Sequence, residues 1–392
     1  MNTKPLASQT LLVTGEAPYL SRHTFLLQAL SPYFKSLQTL QRHEEWYEKR
    51  IFRLLLKYLY TLRVFSKSKA DTLYQKNGRE FIVKSQRMEQ EIHQLGSQPD
   101  LILHIFNTFS PCWDNDEIPY LLYLDYTMQL SEQKQLPWAF FLNQRDRDQW
   151  IACEQRLFQK AKYLFCQSQA VRRSLVQDYG ITANKVIVAG AAGHFQHPYE
   201  GEKTFGSQQI LFNGSDFQRK GGDLVLTAFQ RIKEVLPKAR LVVIGRKLLT
   251  QPAGVINPGH VSPSELQALL LQTDLVVAPA YSDPFPRFVM EAMNYGVPCV
   301  VSNQDGMPEI VDQGQCGVVL DRPTPDTLAS TVIDLLTQPD RLTTLSQAAR
   351  HKIKTHLNWH AVAQTIIQTL SENSTMTDEK PAIALEPSSL TY

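Results

Sequence analysis

Short apolar runs alternate with amphipathic segments along the whole chain, and this alternation constrains the fold more than any other feature. QTLLVTG is typical of the first strand of an α/β domain, and helical patterns such as SQAVRRSLVQDYG separate the later runs. Strand alternating with helix predicts a mostly parallel sheet with helices on both faces. The predicted strands of the first half lie at 9–15, 101–106, 120–126, 161–168 and 185–190.

The second half repeats this order in QQILFNGS, ARLVVIGR, DLVVAPA, PCVVSN and CGVVL. The polar stretch at 197–208 is the expected linker. We therefore expect an α/β protein with two doubly wound, Rossmann-like domains, the first at 1–196 and the second beginning at 209. Their sheets would face a cleft formed at the carboxyl ends of the strands. The polar, proline-spotted segment 372–392 is the expected disordered tail.

Composition bounds the possible partners. The 392 residues are 43% apolar and 20% charged with a net charge of +2, so nothing drives general binding to nucleic acid. The five cysteines are scattered without a CxxC pair, which suits a reducing compartment and argues against a disulfide framework or a zinc site. The start of the chain lacks a signal-peptide pattern, and no apolar run reaches the ~18 residues that span a bilayer. A cytoplasmic protein is the expectation.

SDPFPRFVMEAMNYGVPC lies between two apolar runs and predicts a helix at the cleft. Pro284 and Pro286 suit the first turn of a helix, and Gly296 suits the left-handed position that ends it. Because the helix follows a strand directly, its free amides should face the cleft and attract an anion. Asp283 and Glu291 add carboxylates for neutral hydroxyls. An anionic middle with hydroxyls at both ends describes a nucleotide sugar.

A second loop supports the same ligand. In NGSDFQRKGGD, Arg219 and Lys220 are adjacent cations between a strand and a helix, placed to neutralise a diphosphate. Further on, DGMPEIVDQG places Glu309 at a helix start.

These motifs carry a family resemblance. From about 208 to 320 the chain resembles the retaining glycosyltransferases of the two-domain GT-B fold, in the family 4-like group (glycosyl transferases group 1). ILFNGSDFQRKGGDLVLTAF, LVVIG, VINPGHVSPSELQALL, DLVVAPAYSDPFPRFVMEAMNYGVPCVVS and DGMPEIVDQGQCGVVL occur in the family's order. The resemblance implies a donor-binding second domain at 209–357, a helix at 358–371 that returns to the first domain, and an acceptor side in the first domain.

The resemblance also implies residue roles. The family's E-x7-E pair falls on Asp283 and Glu291, which would bind the donor sugar and the ribose. Lys220 with Arg219 would hold the diphosphate, and Asp125 stands where the family has its catalytic-loop histidine. The expected catalytic residues are Asp125, Arg219, Lys220 and Asp283. The expected donor-binding residues are Ser215, Arg219, Lys220, Asp283, Phe285, Pro286, Arg287, Glu291 and Glu309.

The sequence departs from the family in four places. Asp283 replaces the usual first glutamate and is one methylene shorter. Ser215 stands where many members have a phosphate-binding arginine, and Asp125 replaces the histidine. The first loop, TGEAPYLSRH, lacks the paired glycines that let the backbone approach the donor phosphate.

The implied activity is transfer of a sugar, with retention, from a nucleotide-diphosphate sugar to an acceptor hydroxyl, without a cofactor or metal. The acceptor stays open among a cell-envelope glycan, a glycolipid and a small glycoside. Two alternatives remain: a nucleotide-sugar epimerase of the same fold, and a catalytically impaired nucleotide-sugar-binding protein.

One further segment, 48–63, has a helical period with basic residues opposite apolar ones. Such a helix suits peripheral contact with an anionic membrane at its inner face. An ordinary helix packed on the sheet is the favoured alternative.

Overall fold

The computed structural model describes residues 4–42, 50–64, 73, 75–115 and 117–375. These residues form two six-stranded sheets in which every paired strand is parallel, which confirms the predicted fold class. The strands of the first sheet are β1 (Thr10–Glu16), β2 (Ser36–Arg42), β3 (Leu101–Ile105), β4 (Tyr120–Leu124), β5 (Tyr163–Cys166) and β6 (Val186–Val188). Their order is β2-β1-β3-β4-β5-β6.

The second sheet consists of β7 (Gln209–Asn213), β8 (Arg240–Ile244), β9 (Val255–Gly259), β10 (Leu275–Ala278), β11 (Cys299–Ser302) and β12 (Val318–Leu320). Their order is β12-β11-β10-β7-β8-β9. Successive strands are added on one side of β1 and then on the other, so the first sheet has a topological switch point between β1 and β3. The second sheet has its switch point between β7 and β10. Loops diverge at such a switch point and leave a crevice at the carboxyl ends of the strands.

Helices cover both sheets, and several begin where a polar side chain caps them. Asn77, Asn143, Ser168 and Ser262 each accept a hydrogen bond from a backbone amide of the first turn. In the first half the helices are α1 (Ala17–Arg22), α2 (Thr24–Leu30), α3 (Arg50–Val64), α4 (Gly78–His93), α5 (Met128–Gln133), α6 (Gln144–Lys160) and α7 (Gln169–Gln177). In the second half they are α8 (Gly222–Val235), α9 (Pro263–Gln272), α10 (Arg287–Asn294), α11 (Met307–Ile310), α12 (Pro325–Leu336), α13 (Pro339–Thr355) and α14 (Trp359–Thr375).

Helix α14 returns from the second sheet and packs against α2 of the first domain. Its apolar face is buried, and the indole Nε1 of Trp359 donates to the carbonyl oxygen of Gly193 at 3.0 Å. The helix runs to Thr375, four residues into the segment expected to be a disordered tail. The rest of that segment, 376–392, lies outside the described residues.

Helix α3 begins inside the predicted amphipathic segment, of which residues 48 and 49 lie outside the described part. Its apolar face is not covered by the sheet: Leu54, Leu55, Tyr58, Leu59 and Leu62 are 47% to 61% exposed. The packed-helix alternative is therefore wrong for this face. In the described part of the chain no helix is long and apolar enough to cross a bilayer.

Candidate functional site

The carboxyl edges of the two sheets lie opposite each other and enclose a polar crevice. Tyr19 and Phe106 line it from the first domain, close to the switch point between β1 and β3. Asp283 and Arg287 line it from the second domain. This part of the crevice has a volume of about 380 Å³, and Asp283 and Asp125 also line a larger neighbouring cavity of about 700 Å³.

Asp283 lies in the loop between β10 and α10, opposite two cations. Its Oδ2 is 3.5 Å from Arg219 Nη1 and 3.9 Å from Lys220 Nζ. Burial raises the pKa of the Asp283 carboxyl group, and Lys220 and Arg219 oppose that shift. Burial lowers the pKa of Lys220, and Asp283 opposes that change. Two cations therefore lie beside the Asp283 carboxylate, and Asp216 also pairs with Arg219.

The loop that carries these cations has a fixed shape. Arg219 Nε donates to Asp216 Oδ2 at 2.6 Å and Nη1 donates to the carbonyl oxygen of Ser282 at 2.6 Å. Gly221 follows with φ at +77°, and a Cβ there would lie 2.7 Å from the carbonyl oxygen of Pro279. Only glycine tolerates both the positive φ and this close approach, so the loop packs directly on the segment that follows β10.

Helix α10 begins at Arg287 beside the crevice, so Pro284, which was predicted in its first turn, lies before the helix. Pro286 is its N-cap residue, and Gly296 takes the left-handed conformation after its end with φ at +71°. Arg287 Nη1 donates to the carbonyl oxygen of Arg22 at 2.7 Å, and Nη2 lies 2.9 Å from His23 Nε2. Arg287 thus ties the helix to the first domain.

His23 is the neutral partner of that contact. Burial, aided by Arg287, lowers the pKa of His23 to about 3. His23 Nδ1 lies 2.7 Å from the carbonyl oxygen of Tyr19, an atom that only accepts, so Nδ1 carries the proton and Nε2 accepts from Arg287.

Glu291 lies deeper along α10 and faces the first domain. Its Oε1 accepts a hydrogen bond from the backbone amide of His194 at 3.1 Å. A Cβ on Gly193 would lie 2.9 Å from Glu291 Cγ, so the interdomain segment passes close to this side chain. Burial raises the pKa of the Glu291 carboxyl group, and the His194 amide opposes that shift.

Asp125 immediately follows β4 and lines both cavities. Burial raises the pKa of its carboxyl group to about 6, while Arg287 favours the charged form and Asp283 opposes it. This carboxyl group therefore titrates close to neutral pH, at the junction of the two domains.

Asp305, which the sequence did not indicate, joins the two domains beside Asp283. Its buried carboxylate accepts from Tyr126 Oη at 2.7 Å, from Ser282 Oγ at 2.6 Å and from the Asp283 amide at 3.0 Å. Lys134 Nζ lies 3.7 Å away. Tyr126 and Lys134 belong to the first domain, whereas Ser282 and Asp283 belong to the second. Contact between the domains is therefore coupled to the position of the Asp283 loop.

The remaining predicted donor-binding residues are Ser215, Phe285, Pro286 and Glu309, and only some of them lie beside Asp283. Phe285 is buried and lines the crevice, and Pro286 packs with Lys220 and Asp283 around a small apolar recess. Ser215 is exposed in the loop after β7, where its amide donates to Asn213 Oδ1 at 3.1 Å.

Glu309 makes an interdomain contact away from the Asp283 crevice. Both of its carboxylate oxygens accept from the backbone amide of Gln169, at 2.9 and 3.1 Å, at the amino end of α7. It lines a separate interdomain cavity together with Lys352 and His356. In this arrangement its carboxylate stabilises the end of a first-domain helix.

Sequence reasoning missed Asp305, Tyr126 and His23. Tyr126 is the last residue of the predicted strand 120–126, and Asp305 lies two residues after PCVVSN, so position at a strand end was the available signal. Within the described residues no group of three or more His, Cys, Asp or Glu side chains is arranged to hold a metal ion.

Two doubly wound domains that face a crevice, with a closing helix that returns to the first domain, define the GT-B architecture of glycosyltransferases. Residues 199–352 match the family model described as Glycosyl transferases group 1. Full-length structural similarity extends to sucrose-phosphate synthase from Thermosynechococcus elongatus, with a TM-score of 0.61 and 14% identity over 94% of this chain and 100% of that one.

The Anabaena protein HepE, solved with UDP and glucose, has a TM-score of 0.59 and 16% identity over 93% of this chain and all of that one. Among curated proteins, spore coat protein SA of Bacillus subtilis is 26% identical over 187 residues, or 43% of this chain and 50% of that protein. Glycogen synthase of Mycobacterium tuberculosis is 29% identical over 176 residues, or 42% of each chain. The chain thus spans half or less of the length of these curated relatives.

Proposed function

We propose that this protein is a glycosyltransferase that moves a sugar, with retention, from a nucleotide-diphosphate sugar to an acceptor hydroxyl. The observation that carries the proposal is the pairing of Arg219 and Lys220 with Asp283 at the switch point of the second sheet. The family match to the second domain and the UDP bound by the Anabaena neighbour support it.

Each donor group has a residue of suitable chemistry. Arg219 and Lys220 would neutralise the diphosphate, helped by the amino end of α10. Asp283 would accept hydrogen bonds from sugar hydroxyls, and Glu291 would accept them from the ribose. Asp125 lies across the crevice, where its carboxylate would orient the sugar or the acceptor.

In the proposed reaction the acceptor oxygen bonds to the anomeric carbon on the face from which the diphosphate departs. The carbon–oxygen bond to the diphosphate breaks, its electron pair stays with the phosphate oxygen, and the acceptor proton passes to that oxygen. Lys220 and Arg219 stabilise the charge that develops on the leaving group. The protein would then act through positioning and charge stabilisation.

We also propose that the protein works on the cytoplasmic side and contacts an anionic membrane through α3. The exposed apolar face of that helix supports the contact, and a lipid-linked glycan acceptor would be within its reach.

The experiment is turnover of UDP-, GDP- and ADP-sugars, with nucleotide release and NMR of the sugar product as readouts. We expect one donor to release its nucleotide and yield a product that keeps the donor's anomeric configuration. Asp283→Ala and Lys220→Ala should each lower the rate ~100-fold or more, the scale of losing a charged contact in the transition state. The matched control, Lys238→Ala, changes an exposed lysine of the second domain and should turn over as wild type.

An inverted product would contradict retention. Isomerised donor in the absence of an acceptor would instead show an epimerase. If a donor binds but no acceptor gives turnover, the protein is the catalytically impaired nucleotide-sugar-binding protein instead.

A further inference from the structure

The corner between β1 and α1 faces the crevice at the switch point of the first sheet. Gly15 is the one glycine of this corner, and a Cβ there would lie 3.1 Å from the carbonyl oxygen of Ile105. Gly15 therefore serves the close packing of β1 on β3. Glu16, Ala17 and Pro18 follow, and proline has no amide hydrogen. The backbone of the corner thus offers little for a close approach to an anion.

Arg22, the last residue of α1, adds a long cationic side chain to the same region. It lines both the crevice beside Arg287 and the larger neighbouring cavity, and Asp283 also lines both. Glu16 lines the larger cavity but not that part of the crevice. The Arg22 side chain is exposed, and within the described ranges no acceptor oxygen forms a hydrogen bond or an ion pair with its guanidinium group. It is therefore available to a ligand.

A second guanidinium group lies beside Arg22. Nη1 of Arg287 donates to the carbonyl oxygen of Arg22 at 2.7 Å, which fixes the end of α1 against the amino end of α10. Burial lowers the pKa of Arg287, and the positive charge of Arg22 adds to that shift. Glu291 and Asp125 favour the charged form of Arg287. Neither of these described carboxylates forms an ion pair with Arg22, so an anion beside Arg22 would relieve a repulsion that remains.

The position of Arg22 relative to the proposed donor groups indicates which anion it meets. Asp283, the proposed sugar-binding residue, lies 3.9 Å from Lys220 between Oδ2 and Nζ on the second-domain side. Because Arg22 lines the same space from the first domain, the phosphate next to the sugar would lie between Arg22 and Lys220. A planar guanidinium group matches two oxygens of a phosphate and keeps its charge at every working pH.

We propose that Arg22 binds the phosphate group next to the donor sugar, so that both domains hold the leaving diphosphate. This inference rests on the proposed function, in which Arg219 and Lys220 bind the diphosphate from the second domain. Arg22 supplies from the first domain a contact that the backbone of the β1–α1 corner does not offer. It would also stabilise the negative charge that develops on this phosphate as the sugar leaves.

Titration calorimetry of nucleoside diphosphates and monophosphates tests the proposal. UDP, GDP and ADP are titrated first, and the diphosphate that binds is then compared with its own monophosphate, which lacks the phosphate next to the sugar. Arg22→Met should weaken binding of the diphosphate ~10-fold or more, the scale of a charge-assisted hydrogen bond. The same variant should bind the monophosphate almost as wild type does.

Two further variants separate geometry from charge. Arg22→Lys should keep part of the affinity for the diphosphate, because an ammonium group retains the charge but not the two-pronged geometry. Arg79→Met is the matched control, since it removes the same charge from an exposed arginine of α4, and it should bind the diphosphate as wild type. Equal binding of the monophosphate by all variants shows that the fold and the rest of the donor site are intact.

The inference is wrong if Arg22→Met binds the diphosphate as tightly as wild type, or if it loses affinity for the diphosphate and the monophosphate equally. In the first case the donor site stands and Arg22 does not belong to it. If the wild type binds none of the three diphosphates, the proposed donor site itself is overturned, and this inference with it. The two failures are therefore distinguishable.

Discussion

Asp125 is a carboxyl group that changes charge in the range where enzymes work. It follows β4, faces Arg287 across the domain junction, and has a pKa raised to about 6 by burial. A raised folded-state pKa means that folding favours the protonated form. Its contribution to stability is therefore full below pH ~4 and is lost as the pH rises through about 6. Its proposed role requires the opposite, charged form.

We therefore predict that kcat/KM for the donor falls below pH about 6, approaching tenfold per pH unit. Asp125→Asn should lower the rate and remove this limb of the profile, because the amide cannot titrate. Asp148→Asn, a change of an exposed carboxylate, should keep the wild-type profile. A profile that still declines below pH 6 in Asp125→Asn would assign the limb to another group.

At the scale of residues, the sequence predicted backbone structure correctly where the pattern lies within one short stretch of the chain. The loop with Arg219 and Lys220 and the start of α10 were placed correctly because glycine and proline fix their backbone. The contact between Tyr126 and Asp305 spans 179 positions, and no pattern local to either residue indicates the other. Only the packing of one domain on the other brings them together.

At the scale of elements, the loop after β4 and the loop after β11 meet through Tyr126 and Asp305. Asp305 also accepts a hydrogen bond from the Asp283 amide, so the contact between the two domains is linked to the proposed donor site. We predict that Tyr126→Phe lowers donor turnover ~3- to 10-fold, the equivalent of one hydrogen bond of about 0.5–1.5 kcal/mol.

The measurement is steady-state kinetics with kcat and KM resolved. Tyr33→Phe is the matched control in the first domain, and it should be neutral. Turnover equal to wild type in Tyr126→Phe would show that the contact does not influence the donor loop.

Helix α3 presents five apolar side chains that are about half exposed or more. We predict that the protein floats with vesicles containing anionic lipid and not with neutral ones. Leu55→Glu with Leu59→Glu should abolish flotation, because two charges would enter the apolar face. Leu249→Glu, at a fully exposed leucine of the second domain, should have no effect. Flotation unchanged by the double substitution would exclude α3 as the contact.

The sequence did not predict two strands, β2 and β9. β2 reads SLQTLQR and β9 reads VINPG, and neither is a continuous apolar run. β9 alternates buried and exposed residues. Both strands lie at sheet edges, where a strand does not need apolar residues on both of its faces. The central strands were predictable because they are buried on both faces.

For the whole molecule, the alternation of strand and helix was sufficient to predict two doubly wound domains. It could not predict which cavity lies between them, because that depends on how α14, Arg287 and Asp305 hold the domains together. The crevice combines groups from both sheets, so neither domain contains the complete proposed site.

The central claim is that the loop with Arg219 and Lys220, together with α10, holds a nucleoside diphosphate. Titration calorimetry of UDP, GDP and ADP into wild type, Lys220→Met and the control Lys238→Met tests it most directly. We predict that one nucleotide binds the wild type and the control equally, and that Lys220→Met weakens it ~10- to 100-fold, the scale of a charge-assisted hydrogen bond. No binding of any of the three nucleotides, or equal binding by Lys220→Met, would contradict the account.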